Sequence, residues 1–590
     1  MKQKSKKNFD FLLLNRLLLF VWPYKYTFIF VMLSAVLLSV FSTLSPYLLK
    51  ITIDDYITVR DYNGMLFLIS LMICTLFLEV IFQFLFIYNA NWLGQNVILD
   101  IRNRLFSHLI YFKMNFFNNT PVGRMVTRVV NDIETISGIF SQGLFMIVAD
   151  LLKMLIVIVV MLSVSWKLSL IVFTVLPFIL IATKFFQISM KKAFNEVRNE
   201  IANLNTFVQE RISGMSIVQL FNRQDEEYKS FMKINNKHRK AWLKTVWYNS
   251  IFFPVAELST SITIGLIVWY GGLNVVLDKT SITLGIIFLF IQLSQMLFRP
   301  LRQIADKFNT LQMGMIAVKR VFDLIDKEEK TSDSGKKSSS QIKGLVEFSK
   351  VNFSYVKEVK VLKNISFSIS PGEKVAFVGE TGAGKSTLIN LLSRFYEINE
   401  GKILIDGFPI SNYDLYDFRK NIGIVNQDVF LFADTIYNNI TLWDSSIGFH
   451  DVISAAKRIG VHNFIESLPG KYDFNVKERG GVLSTGQRQL ISFLRVYIKK
   501  PKILVLDEAT SSIDTQSELM IQKATKEVTK DKTSLVIAHR LSTIKKADKI
   551  IVMDKGSVVE IGCHKSLLLK PDGYYKKLHD AQFFRKKMVV

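Results

Sequence analysis

Cysteine is nearly missing from this chain, with two in 590 residues, Cys74 and Cys563. They lie in different halves, and Cys74 sits inside an apolar run, which excludes a disulfide framework. Acidic residues are also short, 50 against 74 Lys and Arg, leaving a net charge of +24. Charge of either sign is almost absent from long stretches of the first half. At the N-terminus, Lys2, Lys4, Lys6 and Lys7 followed by an apolar stretch imitate a targeting signal. That stretch, Phe11 to Trp22, contains Asn15 and Arg16, and no small-residue cleavage site follows, which argues against a cleaved signal peptide. The expectation is an amphipathic helix on the cytoplasmic membrane surface, ended by Pro23.

What is present is too long for one domain, since a single core stops growing near about 250–300 residues. Six apolar segments, near 27–49, 65–88, 145–166, 168–186, 249–272 and 281–298, are long enough, or nearly so, to cross a bilayer. The first and last hold no charged residue, and the third and fourth form a tight hairpin at Trp166 and Lys167. With the N-terminus cytoplasmic, segments 1–25, 89–144 and 187–248 are also cytoplasmic and hold six, five and eleven Lys and Arg. The outer turns 50–63, 167 and 273–280 hold two, one and one. The short N-terminal segment gives the same orientation as the longer loops. The positive charge is therefore read as membrane topology, and a nucleic-acid partner is not expected. In residues 196–220, Val197, Ile201, Leu204, Val208, Ile212 and Met215 recur at helical spacing, so the long connections are read as helices extending into the cytoplasm.

Segment 327–340 is polar, rich in Ser and Lys and without periodicity, which marks a linker. The expected domains are 1–25, a cytoplasmic N-terminus; 26–325, an all-α six-helix transmembrane domain; 326–342, the linker; and 343–590, an α/β nucleotide-binding domain. In the last, short β-rich runs (Val346–Phe348, Lys374–Val378, Ile403–Ile405, Ile503–Leu506, Ser534–Ile537 and Ile550–Met553) alternate with helical stretches.

The run Gly379-Glu380-Thr381-Gly382-Ala383-Gly384-Lys385-Ser386-Thr387 fits G-x-x-x-x-G-K-[ST] between a strand and an apolar helix. Its glycines let backbone N–H groups curl around phosphates. Lys385 reaches the β- and γ-phosphates, and the Ser386 hydroxyl suits Mg²⁺. A second signal is Ile503-Leu504-Val505-Leu506-Asp507-Glu508, a buried strand presenting two carboxylates. Asp507 suits Mg²⁺, and Glu508 suits orientation of the attacking water. ATP and Mg²⁺ are the expected cofactors.

Further residues carry a resemblance to ATP-binding cassette (ABC) proteins. Leu483-Ser484-Thr485-Gly486-Gln487 resembles the family's LSGGQ signature, and Gln427 its Q-loop, with a role toward the metal and nucleotide. Ser512-Ile513-Asp514 resembles the D-loop, His539 the switch histidine that touches the γ-phosphate, and Tyr355 the aromatic that stacks on adenine. Asn475 to Gly480 resembles the exporter x-loop, with Lys477 where the family usually has Gly. Gly123 to Arg128, followed by Asn131-Asp132, resembles the first inner loop of ABC exporters. The resemblance implies a half-transporter in the cell (inner) membrane, its ATP-binding domain cytoplasmic. It also implies a dimer that sandwiches two ATPs, each between one subunit's phosphate loop and the other's signature. Inner-loop coupling helices, near Phe116–Val122 and Leu220–Gln224, would dock on the cassettes.

Thr485 stands where the family has Gly, adding bulk and restricting the backbone. Altered signatures occur in heterodimeric exporters and are tolerated in homodimers, so both partners stay open. Among the polar membrane residues Glu79, Asp150, Lys153, Glu257, Gln292 and Gln295, Asp150 and Lys153 are three apart on one helix and placed to neutralise each other. The expected substrate is lipophilic or amphipathic, a small molecule or a lipid. An ATP-gated channel or regulatory half-subunit on the same architecture is the alternative, disfavoured because Glu508 and His539 are intact. A soluble nucleic-acid ATPase conflicts with six apolar spans.

Overall fold

The computed structural model describes residues 11–277, 282–331, 333, 335–338, 342–356, 358–507, 515–538 and 541–587. The chain forms two compact units, Met1–Ile110 with Thr120–Glu328, and Tyr111–Asn119 with Glu329–Val590.

The first unit is helical. A short helix α1 (Phe11–Leu19) precedes α2 (Lys25–Ile51) and α3 (Tyr62–Leu109). The chain then passes through α4 (Met114–Asn119), which belongs to the second unit, and returns in α5 (Val122–Thr127) and α6 (Ile133–Gly138). Next come α7 (Phe145–Val164), α8 (Trp166–Ser213), α9 (Met215–Leu220), α10 (Gln224–Val276) and α11 (Leu284–Ile325). Among the described residues, six stretches are long and apolar enough to cross a membrane: Trp22–Ile57, Tyr62–Leu109, Val122–Val164, Trp166–Ser213, Gln224–Val276 and Leu284–Leu301. Each contains, or overlaps most of, one sequence-predicted span.

Side chains set the helix starts. Asp61 caps α3 by accepting from the Gly64 N–H, and Thr283 caps α11 by accepting from Ile286. Ser165 is the whole connection between α7 and α8; its extended backbone breaks the ladder and its hydroxyl accepts from Leu168. With 48 and 53 residues, α8 and α10 are about 72 and 80 Å long at about 1.5 Å per residue. A hydrocarbon core is about 30 Å thick, so both helices extend far beyond it. The chain is also wound as π-helix at Thr52–Ile57, Arg128–Asp132 and Ile139–Leu144, which the sequence pattern does not show.

Val157 and Met161 of α7, Leu168 and Val172 of α8, Ile267 of α10 and Phe290 and Leu293 of α11 share one buried cluster. The buried hydroxyls of Ser39 and Thr43 in α2 donate to helix carbonyls four residues back, at 2.8 and 2.7 Å, so they leave no orphan donor. By contrast only 11% of the apolar window of α3 is buried, a surface suited to lipid. The expectation for Asp150 and Lys153 is corrected in part: Asp150 is ion-paired with Lys307, which is 157 residues away on α11 and brought there by packing, while Lys153 lies in the field of both Asp150 and Glu79.

The second unit holds two sheets. One has order β2-β1-β4-β5, from β1 (Val346–Phe353), β2 (Leu362–Ile369), β4 (Glu400–Ile405) and β5 (Phe408–Pro409). The other has order β10-β9-β3-β8-β7-β6, from β3 (Lys374–Val378), β6 (Ile422–Val425), β7 (Ile503–Asp507), β8 (Thr533–Ile537), β9 (Lys549–Asp554) and β10 (Ser557–Gly562). Strands β9, β3, β8, β7 and β6 are parallel, and β10 is an antiparallel edge. Every β8 residue is buried, as are Ile503 to Leu506 of β7, the signature of a sheet covered on both faces. Segment Tyr111–Asn119 joins this unit, although the sequence reading placed it in the membrane half. The Lys113 N–H donates to Glu329 O at 2.6 Å, and Asn118 Nδ2 donates to the Tyr396 hydroxyl at 2.5 Å. The linker is pinned too: Leu415 N–H donates to Asp333, and Lys337 N–H to Asn412 O.

Candidate functional site

Parallel pairing puts the motif strands in register at one edge. Phe377 of β3 faces Ile537 of β8, and Ile537 faces Asp507 of β7. With strands about 4.8 Å apart, Asp507 lies about 10 Å across the sheet from the end of β3, where the phosphate loop begins. Gln427 follows β6, which pairs with β7 at Val425 and Leu506, so it stands exposed at the same carboxyl edge.

The loop 379–384 leads into helix α12 (Lys385–Leu392). Its glycines meet distinct demands. At Gly379 a Cβ would lie 2.2 Å from the Met553 carbonyl oxygen. Gly384 caps α12 with φ +98, where a Cβ would also meet Leu362 Cδ2 at 2.6 Å. The Lys385 side chain is buried, and its ammonium donates to Gly379 O at 2.8 Å and Glu380 O at 2.9 Å. Burial pushes this ammonium below the ordinary lysine value, and the Asp507 carboxylate works against that shift. An ammonium has three donors, and two are used on its own loop. The third, with the first-turn N–H groups of α12, which lack intrahelical partners, forms a donor set for an anion. Ser386, Asp507 and Gln427 supply a hydroxyl, a carboxylate and an amide oxygen, hard donors that suit Mg²⁺. The residues therefore fit a nucleoside triphosphate with its magnesium.

Tyr355 lies beside this helix. Its hydroxyl donates to Thr387 Oγ1 at 3.3 Å and accepts from Asn390 Nδ2 at 3.1 Å. Its ring packs edge-on against Phe353 and Tyr396 and is 39% exposed, leaving part of the ring accessible to a planar ligand.

Ser484, Gly486 and Gln487 stand at the start of helix α13 (Thr485–Lys499). Ser484 Oγ accepts from the Gln487 N–H at 3.2 Å, while Gln487 Oε1 accepts from the Ser484 N–H at 2.9 Å, a reciprocal capping box. Thr485 is exposed and occupies the first helical position. The expected backbone restriction there is corrected, because a helical φ suits any residue and no glycine geometry is required. Arg488, which the sequence reading did not single out, donates to Thr485 Oγ1 at 3.2 Å and to Leu483 O at 2.9 Å. Its spacing three residues beyond Thr485 was the available signal. Lys477 is the reverse case: φ 58 and ψ −174 put a lysine in backbone space that is essentially glycine-only. Its N–H is held by Asn475 Oδ1 at 2.9 Å, and the Val476 N–H by Asp434 O at 3.0 Å. Glu508, Asp514 and His539 lie outside the described residues.

Two family models match. One, the ABC transporter transmembrane region, covers residues 28–301, and the other, ABC transporter, covers residues 362–511. The chain is 37% identical over 580 residues to a putative multidrug export ATP-binding/permease protein of Staphylococcus aureus, covering 97% of this chain and all of that one. It is 35% identical over 579 residues to an ATP-dependent lipid A-core flippase of Syntrophus aciditrophicus, covering 97% and 95%. An uncharacterized ABC transporter ATP-binding protein of Bacillus subtilis is 35% identical over 581 residues, covering 98% and 96%.

Proposed function

The chain belongs to the ABC transporter family, with its membrane region and ATP-binding cassette fused and its ATPase coupled to transport, and from that premise we propose that it is half of a dimeric exporter. The dimer carries a lipophilic or amphipathic substrate outward, or flips it between leaflets, in the cell membrane. The observation that carries this reading is one chain joining six membrane-length helices to a phosphate loop whose Lys385 and Asp507 share a sheet edge. The substrate class draws support from relatives named as multidrug exporters and lipid A-core flippases.

In this reading Lys385 and the first-turn amides of α12 bind the β- and γ-phosphates, and Tyr355 takes the adenine. Ser386, Asp507 and Gln427 hold Mg²⁺, which supplies neutralisation of the charge that builds on the phosphates. Glu508 orients the attacking water, and His539 touches the γ-phosphate. Ser484, Gly486 and Gln487 present a capped helix N-terminus, positive by its dipole, to the ATP of the partner subunit, and Asp514 is the D-loop carboxylate that also serves the nucleotide. Dimerisation draws support from Ile212, Leu220 and Phe221, apolar residues exposed on the extension that the topology puts in the cytoplasm. A cytoplasmic N-terminus draws support from Arg16, whose two terminal nitrogens donate to the two Asp326 oxygens at 2.5 Å, tying α1 to the far end of α11.

The test is reconstitution in vesicles with a panel of drugs and fluorescent lipids. ATP-dependent movement of at least one amphipathic probe is expected. ATP hydrolysis that no probe stimulates, with none moved, would overturn the exporter reading.

A further inference from the structure

A cavity of about 450 Å³ opens between α8 and α10, lined by Lys192, Lys240, Lys244, Glu196, Trp247 and Tyr248. Its size lies in the range of small-molecule sites, about 300–1,000 Å³. Glu196 is bound to Lys244 at 2.5 Å, and no described carboxylate pairs with Lys192 or Lys240, so the cavity is cationic.

Its depth is fixed by the sequence. Lys192 lies six residues beyond the span 168–186 and Lys240 nine residues before the span 249–272. At about 1.5 Å per residue their Cα atoms stand about 9 Å and about 13–14 Å past the hydrocarbon edge. A headgroup layer is about 5–8 Å thick, and the long lysine stems reach back toward it. Trp247 and Tyr248 are the residue types that settle at that interface. Each lysine also heads an apolar rail running back into the membrane. Four and seven residues before Lys192 come the exposed Ile188 and Phe185, the latter 72% exposed. Seven and eleven residues after Lys240, on the same helix face, come Trp247, 66% exposed, and the exposed Ile251.

We infer that this cavity holds the phosphate headgroup of an anionic phospholipid of the cytoplasmic leaflet, gripped by Lys192 and Lys240, with its acyl chains along the two rails. A free phosphate would share the lysines and have no use for the rails. The inference rests on the proposed orientation of the chain.

The experiment counts lipids retained by the full-length purified chain in native mass spectrometry, without nucleotide. Phosphatidylglycerol is compared with phosphatidylcholine for the wild type, Lys192→Ala/Lys240→Ala and Lys192→Arg/Lys240→Arg. The wild type is expected to prefer phosphatidylglycerol. Each lysine lost should weaken that binding roughly fivefold, and both together roughly thirtyfold. The arginine pair should retain it, and millimolar inorganic phosphate should not displace it. Equal binding of the two lipids, full binding by the alanine pair, or displacement by phosphate would overturn the inference. The orientation is read separately, by labelling Lys192→Cys in intact cells with a membrane-impermeant thiol reagent. Labelling from outside would sink the orientation, and with it the leaflet assigned here, whereas lost lipid preference with no outside labelling would sink the headgroup site alone.

Discussion

Two helix N-termini in the cassette, both assigned to ATP in the proposed function, are built on opposite principles. At α12 the backbone does the shaping: Gly379 has no room for a Cβ, and Gly384 sits at φ +98. At α13 side chains do it, through the reciprocal bonds of Ser484 and Gln487, while Thr485 lies in ordinary helical space. A departure from the family pattern therefore means different things at the two loops. Thr485 adds bulk without strain. Lys477, where the family usually has glycine, carries the strain that Thr485 does not.

Substitutions sharpen that contrast. The largest effect belongs to Lys385→Ala, which removes a buried, preorganised donor. ATP turnover should fall at least about 100-fold, with membrane insertion intact. Normal turnover would sink the phosphate-loop assignment. Gly384→Ala should come next, because it combines a positive φ with a close contact to Leu362. It should destabilise the loop by about 1–3 kcal/mol and weaken binding of a fluorescent ATP analogue. Unchanged binding would mean the loop adopts another backbone.

Lys477→Gly has the opposite sign. Relief of about 1–3 kcal/mol of strain outweighs about 0.5–1 kcal/mol of added chain entropy, so the thermal midpoint of the cassette should rise. A lower midpoint would show that the lysine side chain contributes more than its backbone costs. The smallest effect is Thr485→Gly, which costs under about 1 kcal/mol of helix propensity and the bond from Arg488. Its turnover separates the two dimer types. Robust ATPase activity from this chain expressed alone, altered by the mutation, would rule out an obligatory heterodimer. Activity that appears only with a second half-transporter would rule out the functional homodimer.

The cassette was legible where its signals are local. The phosphate loop, the Asp507 strand and the signature each fit within about ten residues, and their order does the rest. Strand β6 escaped because Gly423 interrupts it, yet that glycine marks close packing: a Cβ there would lie 2.6 Å from Pro501 and Val496. Strand β2 was readable, since Leu362, Ile365, Phe367 and Ile369 are its buried residues, but its short polar turns masked it. In the membrane half, apolar length located all six spans, because lipid solvation depends on composition. The partner of Asp150 was not legible, because nothing near it in sequence points to Lys307. For Tyr111–Asn119 the resemblance alone, with a coupling helix near Phe116–Val122 expected on the cassettes, pointed toward the second unit, and the bonds to Glu329 and Tyr396 that hold it there had no local signal.

In the proposed function, hydrolysis at one edge of the cassette sheet drives movement through the helices. Glu508→Gln breaks that link at its source, in vesicles holding the purified transporter and a probe it moves. The amide keeps the size of the carboxylate and loses the charge that orients water. The variant should still bind ATP, while hydrolysis and probe movement stop together. Probe movement that persists on ATP binding alone would contradict the pump and favour an ATP-gated channel.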